Sequence, residues 1–196
     1  MLNIAVFASG RGSNFEALHR AIADQKIPAK IVVVISNNSS SGALVLAQSF
    51  NIPAFHISQR QFSDSMLFQQ KLLETLQSFN VNFIVLAGYM KKMDTAITRA
   101  FPNRIINIHP ALLPKFGGAG MFGMNVHSAV IAAKEKESGA TVHYVNEEYD
   151  KGTIISQQKV NVDPNDTPES LAAKVLKVEH ELLPTVVKMF SEKKLK

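Results

Sequence analysis

Apolar and polar positions along the chain follow two periodicities, which predict strands connected by helices. Short runs rich in β-branched residues occur at 3–8, 29–36, 53–57, 83–87 and 104–108. Between them lie stretches with apolar residues at helical spacing, at 14–24, 42–50 and 64–79. Strands that alternate with helices in this way are typical of a parallel sheet with helices on both faces.

The pattern changes after Pro114, where two closely spaced segments, 141–146 and 153–162, alternate polar and apolar residues. We therefore expect antiparallel strands to be added to the parallel half. The last helix is expected to begin at Thr167, since a hydroxyl residue followed by proline and an acid is a common helix start. Pro184 predicts a kink or break in this helix. The predicted fold class is α/β: a doubly wound, Rossmann-like, mostly parallel sheet with antiparallel C-terminal additions, in a single domain of residues 1–196.

Composition narrows the class of protein. Of the 196 residues, 46% are hydrophobic and 19% are charged, as is usual for a globular domain. The absence of cysteine excludes disulfides, thiolate zinc sites and iron–sulfur clusters. The net charge of +5 suits small anionic ligands, but no basic stripe interleaved with aromatic residues supports nucleic-acid binding. Neither a membrane span nor a signal peptide is predicted, so we expect a cytoplasmic protein that acts on small molecules.

The loop after the first predicted strand has the features of an anion-binding site. Its sequence, Ser-Gly-Arg-Gly-Ser-Asn at 9–14, combines glycines that let a ligand approach the backbone with the free N–H groups of a starting helix. The glycine spacing of dinucleotide sites is absent, because Phe15 stands three residues after Gly12. A phosphate monoester therefore fits better than NAD. The alternative is a tight turn capped by Ser13.

A literal Gly-x-Gly-x-x-Gly does occur elsewhere, at 118–123. It neither follows a predicted strand nor lies in a βαβ unit, which a dinucleotide site requires. We interpret this segment as a flexible loop and a candidate lid.

Two polar side chains mark the end of the last parallel strand. Asn107 and His109 are two residues apart in a strand and therefore share one face. An amide can stabilise an oxyanion while an imidazole moves a proton, and acyl-type transfer to an amine requires both. The alternative for His109 is a hydrogen-bonded histidine of the core. Asp150 is interpreted either as part of an ordinary turn before Gly152 or as an acid that orients His109 and raises its pKa.

Four motifs, taken in order, resemble the folate-dependent phosphoribosylglycinamide formyltransferase family. They are SGRGSN at 9–14, LAGYM at 86–90, NIHPALLPKF at 107–116 and ATVHYVNEEYDKG at 140–152. The resemblance implies a formyltransferase fold and transfer of the formyl group of 10-formyltetrahydrofolate to the amine of N1-(5-phospho-D-ribosyl)glycinamide, in de novo purine biosynthesis. It implies no metal and no nicotinamide, and a monomer or a homodimer.

The same resemblance assigns roles to individual residues. Asn107 would bind the formyl oxygen, His109 would donate a proton, and Asp150 would keep His109 protonated. Glu179, which the sequence also allows on a solvated helix face, would contact the ribose hydroxyls. Lys91 and Ser65 stand where the family often has arginine, so contacts to the acidic tail of the folate are in question. The implied binding residues are Gly12, Ser13, Asn14 and Glu179 for the ribonucleotide, and Met90, Lys91, Lys92, Met93, Asn107 and Ser65 for the folate.

Other functions compete with this one. Formyltetrahydrofolate hydrolase is the first alternative, but it would carry an N-terminal regulatory domain, and the chain starts directly on its first strand. The His-Pro pair after Ile108 also favours the transferase, since the hydrolase typically has a second histidine there. Methionyl-tRNA formyltransferase would need a further RNA-binding domain. A nucleotide-binding module without catalytic activity would leave Asn107 and His109 unexplained.

Overall fold

The computed structural model describes residues 1–24 and 27–194, and that part of the chain contains seven strands and six α-helices. The strands are β1 (Leu2–Phe7), β2 (Ala29–Ser36), β3 (Ala54–His56), β4 (Phe83–Leu86), β5 (Ile105–His109), β6 (Glu137–Tyr144) and β7 (Ile154–Asn161). The helices are α1 (Ser13–Asp24), α2 (Gly42–Ser49), α3 (Ser65–Ser78), α4 (Thr95–Ala100), α5 (Met124–Ala132) and α6 (Pro168–Ser191), with a short 3₁₀ turn at Gln59–Gln61.

The strands form one sheet in the order β3-β2-β1-β4-β5-β6-β7. Strands β1 to β5 pair in parallel, whereas β6 and β7 are antiparallel to their neighbours. This confirms the predicted α/β class, including the antiparallel additions. The prediction of a single domain over 1–196 stays a prediction, and Gln25, Lys26, Leu195 and Lys196 lie outside the described residues.

Each face of the sheet is covered by its own hydrophobic core, because alternate residues of a strand point to opposite faces. In β1, Ile4 and Val6 pack with the helices α1, α2, α5 and α6 on one face. Ala5 and Phe7 pack with α3 and α4 on the other face. The central strands β1 and β4 are therefore buried on both sides, and the open carboxyl edge of the sheet is the natural place for a ligand.

Two helices and one helix break were not predicted correctly. Helix α4 has only six residues, and it depends on Asp94, whose carboxylate accepts from the Ala96 N–H at 2.8 Å. Helix α5 directly follows the predicted glycine-rich loop 118–123, and no helix was predicted at this position. Helix α6 continues through Pro184 without a break. The residues on both sides of Pro184 are buried against the sheet, and this packing outweighs the hydrogen bond that proline removes.

Candidate active site

A cavity of about 670 Å³ opens at the carboxyl edge of the sheet. Its wall combines the loops after β1, β4 and β5 with the loops 118–123 and 146–150 and one side of α6. Strands β1 and β4 are neighbours whose connections run to opposite sides of the sheet. Ligands of doubly wound folds bind outside such a switch point, and the volume lies within the roughly 300–1,000 Å³ of small-molecule sites.

Asn107, His109 and Asp150 lie together in this cavity. The His109 Nδ1 is 3.7 Å from Asp150 Oδ2, and the Asn107 Nδ2 is 3.5 Å from Asp150 Oδ1. The Gly118 N–H donates to Asp150 Oδ2 at 2.9 Å. The two strand residues share a face as predicted, and the turn that carries Asp150 folds back over them. The structure therefore places Asp150 directly beside both Asn107 and His109.

His109 is held by acceptors at both ring nitrogens. Its Nε2 lies 2.8 Å from the Phe116 carbonyl oxygen, and since a carbonyl only accepts, Nε2 carries the proton of this bond. Its Nδ1 faces the Asp150 carboxylate. The doubly protonated ring would satisfy both acceptors, but the side chain is only 4% exposed. Geometry thus favours the cation while burial opposes it.

The electrostatic balance at His109 differs from the predicted one. Burial lowers the pKa of His109, and the opposing charge of Asp150 and the bond to Phe116 do not reverse this. Asp150 therefore acts on the pKa of His109 in the predicted direction, but burial outweighs it and the net shift is downward. For Asp150, burial acts to raise the pKa, but hydrogen bonding to His143 and the proximity of His109 outweigh it, so the pKa is lowered. Asp150 is accordingly the ionised member of the pair.

His143 is a further member of this cluster that the sequence did not predict. In the antiparallel pairing of β5 with β6, it lies directly opposite Asn107. Its Nδ1 donates to the Tyr144 carbonyl oxygen at 2.8 Å, and its Nε2 lies 3.1 Å from Asn107 Nδ2 and 3.6 Å from Asp150 Oδ1. His143 therefore contacts both Asn107 and Asp150. Only the strand register reveals this contact, because His143 is 36 residues from Asn107 in sequence.

Some residues of the first loop pack against α2, and others line the cavity. Gly12 has φ +87° and packs against α2, where a Cβ would meet the Ala43 Cα at 2.8 Å. Glycine is therefore required here for the path of the loop, and the predicted contact of Gly12 with the ribonucleotide stays a prediction. Ser13 and Asn14 line the cavity at the start of α1, together with Arg11, which was not singled out from sequence.

Glu179 lies in the cavity wall and not on a solvated helix face, since it is only 7% exposed. Burial raises its pKa to about 7, although a hydrogen bond from Asn14 acts in the opposite direction. The Oδ1 atom of Asn14 is buried and, among the described residues, has no hydrogen-bond partner. A carboxylate and an amide oxygen thus form a pair of acceptors at one end of the cavity.

The raised pKa of Glu179 predicts a pH-dependent stability. Because the folded-state pKa of about 7 exceeds the usual 4.5, the folded protein holds this proton more tightly than the unfolded chain. The free energy of unfolding of the wild type, relative to Glu179→Gln, should fall by roughly 3 kcal/mol as the pH rises from about 4.5 through about 7. Urea unfolding of both proteins at several pH values measures this, and a difference that does not change with pH contradicts it.

The segment after β4 forms the opposite wall. Met90, Lys91, Lys92 and Met93 all line the cavity, as predicted. The segment is tied to the first loop, because the Ser9 hydroxyl oxygen accepts from the Met90 N–H at 2.8 Å. Ser65 is exposed on the first turn of α3 and is not among the residues that line the cavity, and its predicted contact with the folate stays a prediction.

The turn that follows His109 is held by Thr141, which pairs with His109 across β5 and β6. The Thr141 hydroxyl donates to the Ala111 carbonyl oxygen at 2.6 Å and accepts from the Leu113 N–H at 3.1 Å. Gln157 of β7 donates to the same hydroxyl and to the Leu113 carbonyl oxygen, both at 2.9 Å. These bonds fix the path of the chain towards Phe116, the hydrogen-bond partner of His109.

Thr141→Val should therefore destabilise the protein much more than Thr141→Ser. Valine leaves the buried Leu113 N–H and Ala111 carbonyl without partners, which costs about 2–4 kcal/mol, whereas serine keeps the hydroxyl. Urea unfolding measures the difference, and kcat of the two variants reports whether the turn also positions His109. Equal stability of the valine and serine variants would show that the hydroxyl is not needed.

Within residues 1–24 and 27–194, no three histidine, aspartate or glutamate side chains are grouped so as to hold a metal ion. Over these same residues, no helix has both the length and the apolar character needed to cross a bilayer.

A doubly wound sheet with an acid–base cluster in a cavity at its switch point defines an α/β protein equipped for proton-assisted chemistry on a small molecule. Comparison with known proteins narrows this class. Residues 2–187 match the family model described as formyl transferase. The chain therefore belongs to the formyl transferase family, as the sequence motifs predicted.

Individual relatives are similar over nearly the whole chain. A phosphoribosylglycinamide formyltransferase of Haemophilus influenzae is 40% identical, covering 100% of this chain and 90% of the relative. A chloroplastic phosphoribosylglycinamide formyltransferase of Arabidopsis thaliana is 44% identical over 98% of this chain, which spans about two thirds (66%) of that relative's length. The crystal structure of glycinamide ribonucleotide transformylase 1 from Symbiobacterium toebii superposes with a TM-score of 0.93 at 35% identity, covering 100% of this chain and 90% of that one. The hydrolase alternative is not favoured by these relatives.

Proposed function

We propose that the chain transfers the formyl group of 10-formyltetrahydrofolate to the amine of N1-(5-phospho-D-ribosyl)glycinamide. A bond forms between the amine nitrogen and the formyl carbon, and the bond between that carbon and the folate N10 breaks. The amine loses a proton and N10 gains one, so the products are formylglycinamide ribonucleotide and tetrahydrofolate. The reaction is a step of de novo purine biosynthesis.

The observation that carries the proposal is the cluster of Asn107, His109 and Asp150 inside the cavity of a formyl transferase family member. Transfer of a formyl group passes through a tetrahedral intermediate whose oxygen is negatively charged. A hydrogen-bond donor and a proton carrier must therefore face the same point, and an amide and an imidazole in one cavity meet that requirement.

The ribonucleotide is proposed to bind between the first loop and α6. Ser13 and Asn14 stand at the start of α1, where free backbone N–H groups favour the phosphate. Glu179 and the unpartnered Asn14 Oδ1 are acceptors, and they suit the hydroxyl groups of the ribose. Because Asn107 and His109 line the same cavity, we propose that the amine of a ribonucleotide bound in this way extends towards them.

The folate is proposed to lie against the segment after β4. Met90 and Met93 supply apolar surface for the flat ring system, while Lys91 and Lys92 are available to its carboxylates. Lysine is a point charge and lacks the bidentate geometry of arginine. These contacts would therefore recognise the negative charge of the folate carboxylates more than their orientation.

In the proposed mechanism, the free amine attacks the formyl carbon directly. One N–H of Asn107 bonds to His143, and since the contact to Asp150 is long, the other is available for the formyl oxygen. His109 stabilises the same oxygen and delivers a proton towards N10. This delivery requires its Nε2–H to exchange the Phe116 carbonyl for the substrate. Asp150 supports the imidazolium that forms when the ring takes the proton lost by the amine, before a proton passes to N10.

We propose what the sequence predicts for the localisation, oligomeric state, partners and cofactors of the protein. It acts on small molecules in the cytoplasm, as a monomer or a homodimer, without nucleic acid and with neither metal nor nicotinamide. The mild positive charge of +5 suits anionic substrates of this kind.

Transfer of an isotopically labelled formyl group tests the proposal. The purified chain is incubated with labelled 10-formyltetrahydrofolate and the ribonucleotide, and the products are separated and identified by mass spectrometry. Label in the ribonucleotide is the expected result. Label recovered only as formate would show that water is the acceptor and would refute the proposal.

A further inference from the structure

The sulfur atoms of this chain are concentrated around the cavity. The chain has no cysteine and seven methionines. Four of the methionines line the cavity: Met90, Met93, Met121 and Met124. A thioether is the one oxidisable sulfur group available here, and its oxidation to the sulfoxide turns a flexible apolar side chain into a polar one.

The four methionines differ in their accessibility to a small oxidant. Met90 is 42% exposed and Met124 is 43% exposed, whereas Met93 is 4% exposed. Outside the cavity, Met66 on the first turn of α3 is 69% exposed. Oxidation depends on access to the sulfur, so Met66, Met90 and Met124 should react before Met93.

Met90 occupies a position where a polar oxygen would be poorly tolerated. Its methyl group lies 4.0 Å from the point that a Cβ on Gly10 would take, and 3.9 Å from the corresponding point on Gly123. The side chain thus extends near the first loop and the start of α5 while it stays open to the cavity. An oxygen on the adjacent sulfur would replace part of the apolar surface of the cavity wall with a strong acceptor.

We propose that Met90 and Met124 form an oxidation site for peroxides through which the cavity loses its affinity for the formyl donor. Each thioether sulfur is oxidised to the sulfoxide and takes one oxygen from hydrogen peroxide, which is reduced to water. Reduction by the methionine sulfoxide reductases, one for each sulfoxide epimer, restores the thioether. The identity of the donor as a folate rests on the proposed function.

The full-length protein tests this when it is treated with dilute hydrogen peroxide and sampled over time. Peptide mass spectrometry follows sulfoxide at each methionine, and steady-state kinetics follow KM for 10-formyltetrahydrofolate. The variants are Met90→Leu combined with Met124→Leu, and Met66→Leu as the matched control that removes an exposed methionine outside the cavity. Each protein is compared with its own untreated sample.

We expect wild type and Met66→Leu to show a rise in KM of roughly tenfold as the sulfoxide accumulates at Met90 and Met124, and the double variant to change much less. Reductase treatment should reverse the rise. Equal loss in the double variant, an unchanged KM after complete oxidation, or oxidation of Met93 as fast as Met90 would overturn the proposal.

The activity of the untreated protein distinguishes a failure of the proposed function from a failure of the proposed oxidation site. If it turns over no ribonucleotide, the proposed function fails, and binding of tetrahydrofolate before and after oxidation is measured by calorimetry in place of KM. Weaker binding after oxidation in the wild type, but not in the double variant, would still support the oxidation site. Unchanged binding would refute it.

Discussion

Replacing His109 with alanine is expected to lower kcat by roughly 10²- to 10⁴-fold while changing KM for either substrate much less. His109 faces the cavity with a proton on Nε2 and the Asp150 carboxylate behind Nδ1. Alanine removes the imidazole that we assign to proton transfer, but it removes no group that we assign to the phosphate, the ribose or the folate ring. Steady-state kinetics with each substrate varied separately measure the effect.

A matched histidine variant controls for general damage. His56 lies on β3, at the far edge of the sheet from β5, so His56→Ala should keep kcat near the wild-type value. Because His109 is buried, His109→Gln is the second variant. It keeps an N–H for the Phe116 carbonyl but cannot carry the proton, and it should be as slow as alanine. A near-wild-type kcat in a folded His109 variant would remove this residue from the mechanism.

Asp150→Asn is expected to lower kcat by roughly 10²- to 10³-fold and to change the pH profile. The Asp150 charge opposes the effect of burial on His109, so its loss should lower the pKa of His109 further. The protonated form then disappears at a lower pH, and the fall of kcat on the basic side should move to lower pH. The profile of kcat against pH measures this shift.

Glu147→Gln is the matched control for Asp150→Asn. Glu147 lies in the same turn and pairs with Arg99 on the surface, where its side chain is half exposed. The variant removes one negative charge from the same segment without touching the cluster, so its pH profile should match that of the wild type. An unchanged profile in Asp150→Asn, or the same shift in both variants, would show that Asp150 does not act on His109.

The sheet could be predicted from the sequence because its strands are continuous apolar runs. Residues 29–36 and 83–86 are buried strands whose β-branched composition has no competing interpretation. Helix α3 was equally clear, since Asp64 caps it and its apolar residues repeat at helical spacing. Helix α5 follows a glycine-rich segment, and its start at Met124 carries no capping side chain, so local sequence gave no signal for it.

The sequence allowed individual candidate residues to be named, but most of the contacts between them could not be predicted. The pairing of Asn107 with His109 followed from the two-residue period of a strand. The approach of Asp150 and His143 depends on the register of β6 against β5, which no local pattern encodes. The lowered pKa of His109 is a consequence of burial, which only the folded chain reveals. Gly12 packs against α2 and Ser65 is exposed on α3, orientations that motif position does not tell, so their predicted ligand contacts stay predictions.

The most direct test of the central claim is the rate at which the purified chain consumes 10-formyltetrahydrofolate, followed by absorbance, with and without N1-(5-phospho-D-ribosyl)glycinamide. The arrangement of acceptors for the ribonucleotide beside the Asn107 and His109 cluster predicts turnover only when the ribonucleotide is present. An equal rate in its absence would mean that water accepts the formyl group, and it would contradict the assignment of this chain as a transferase.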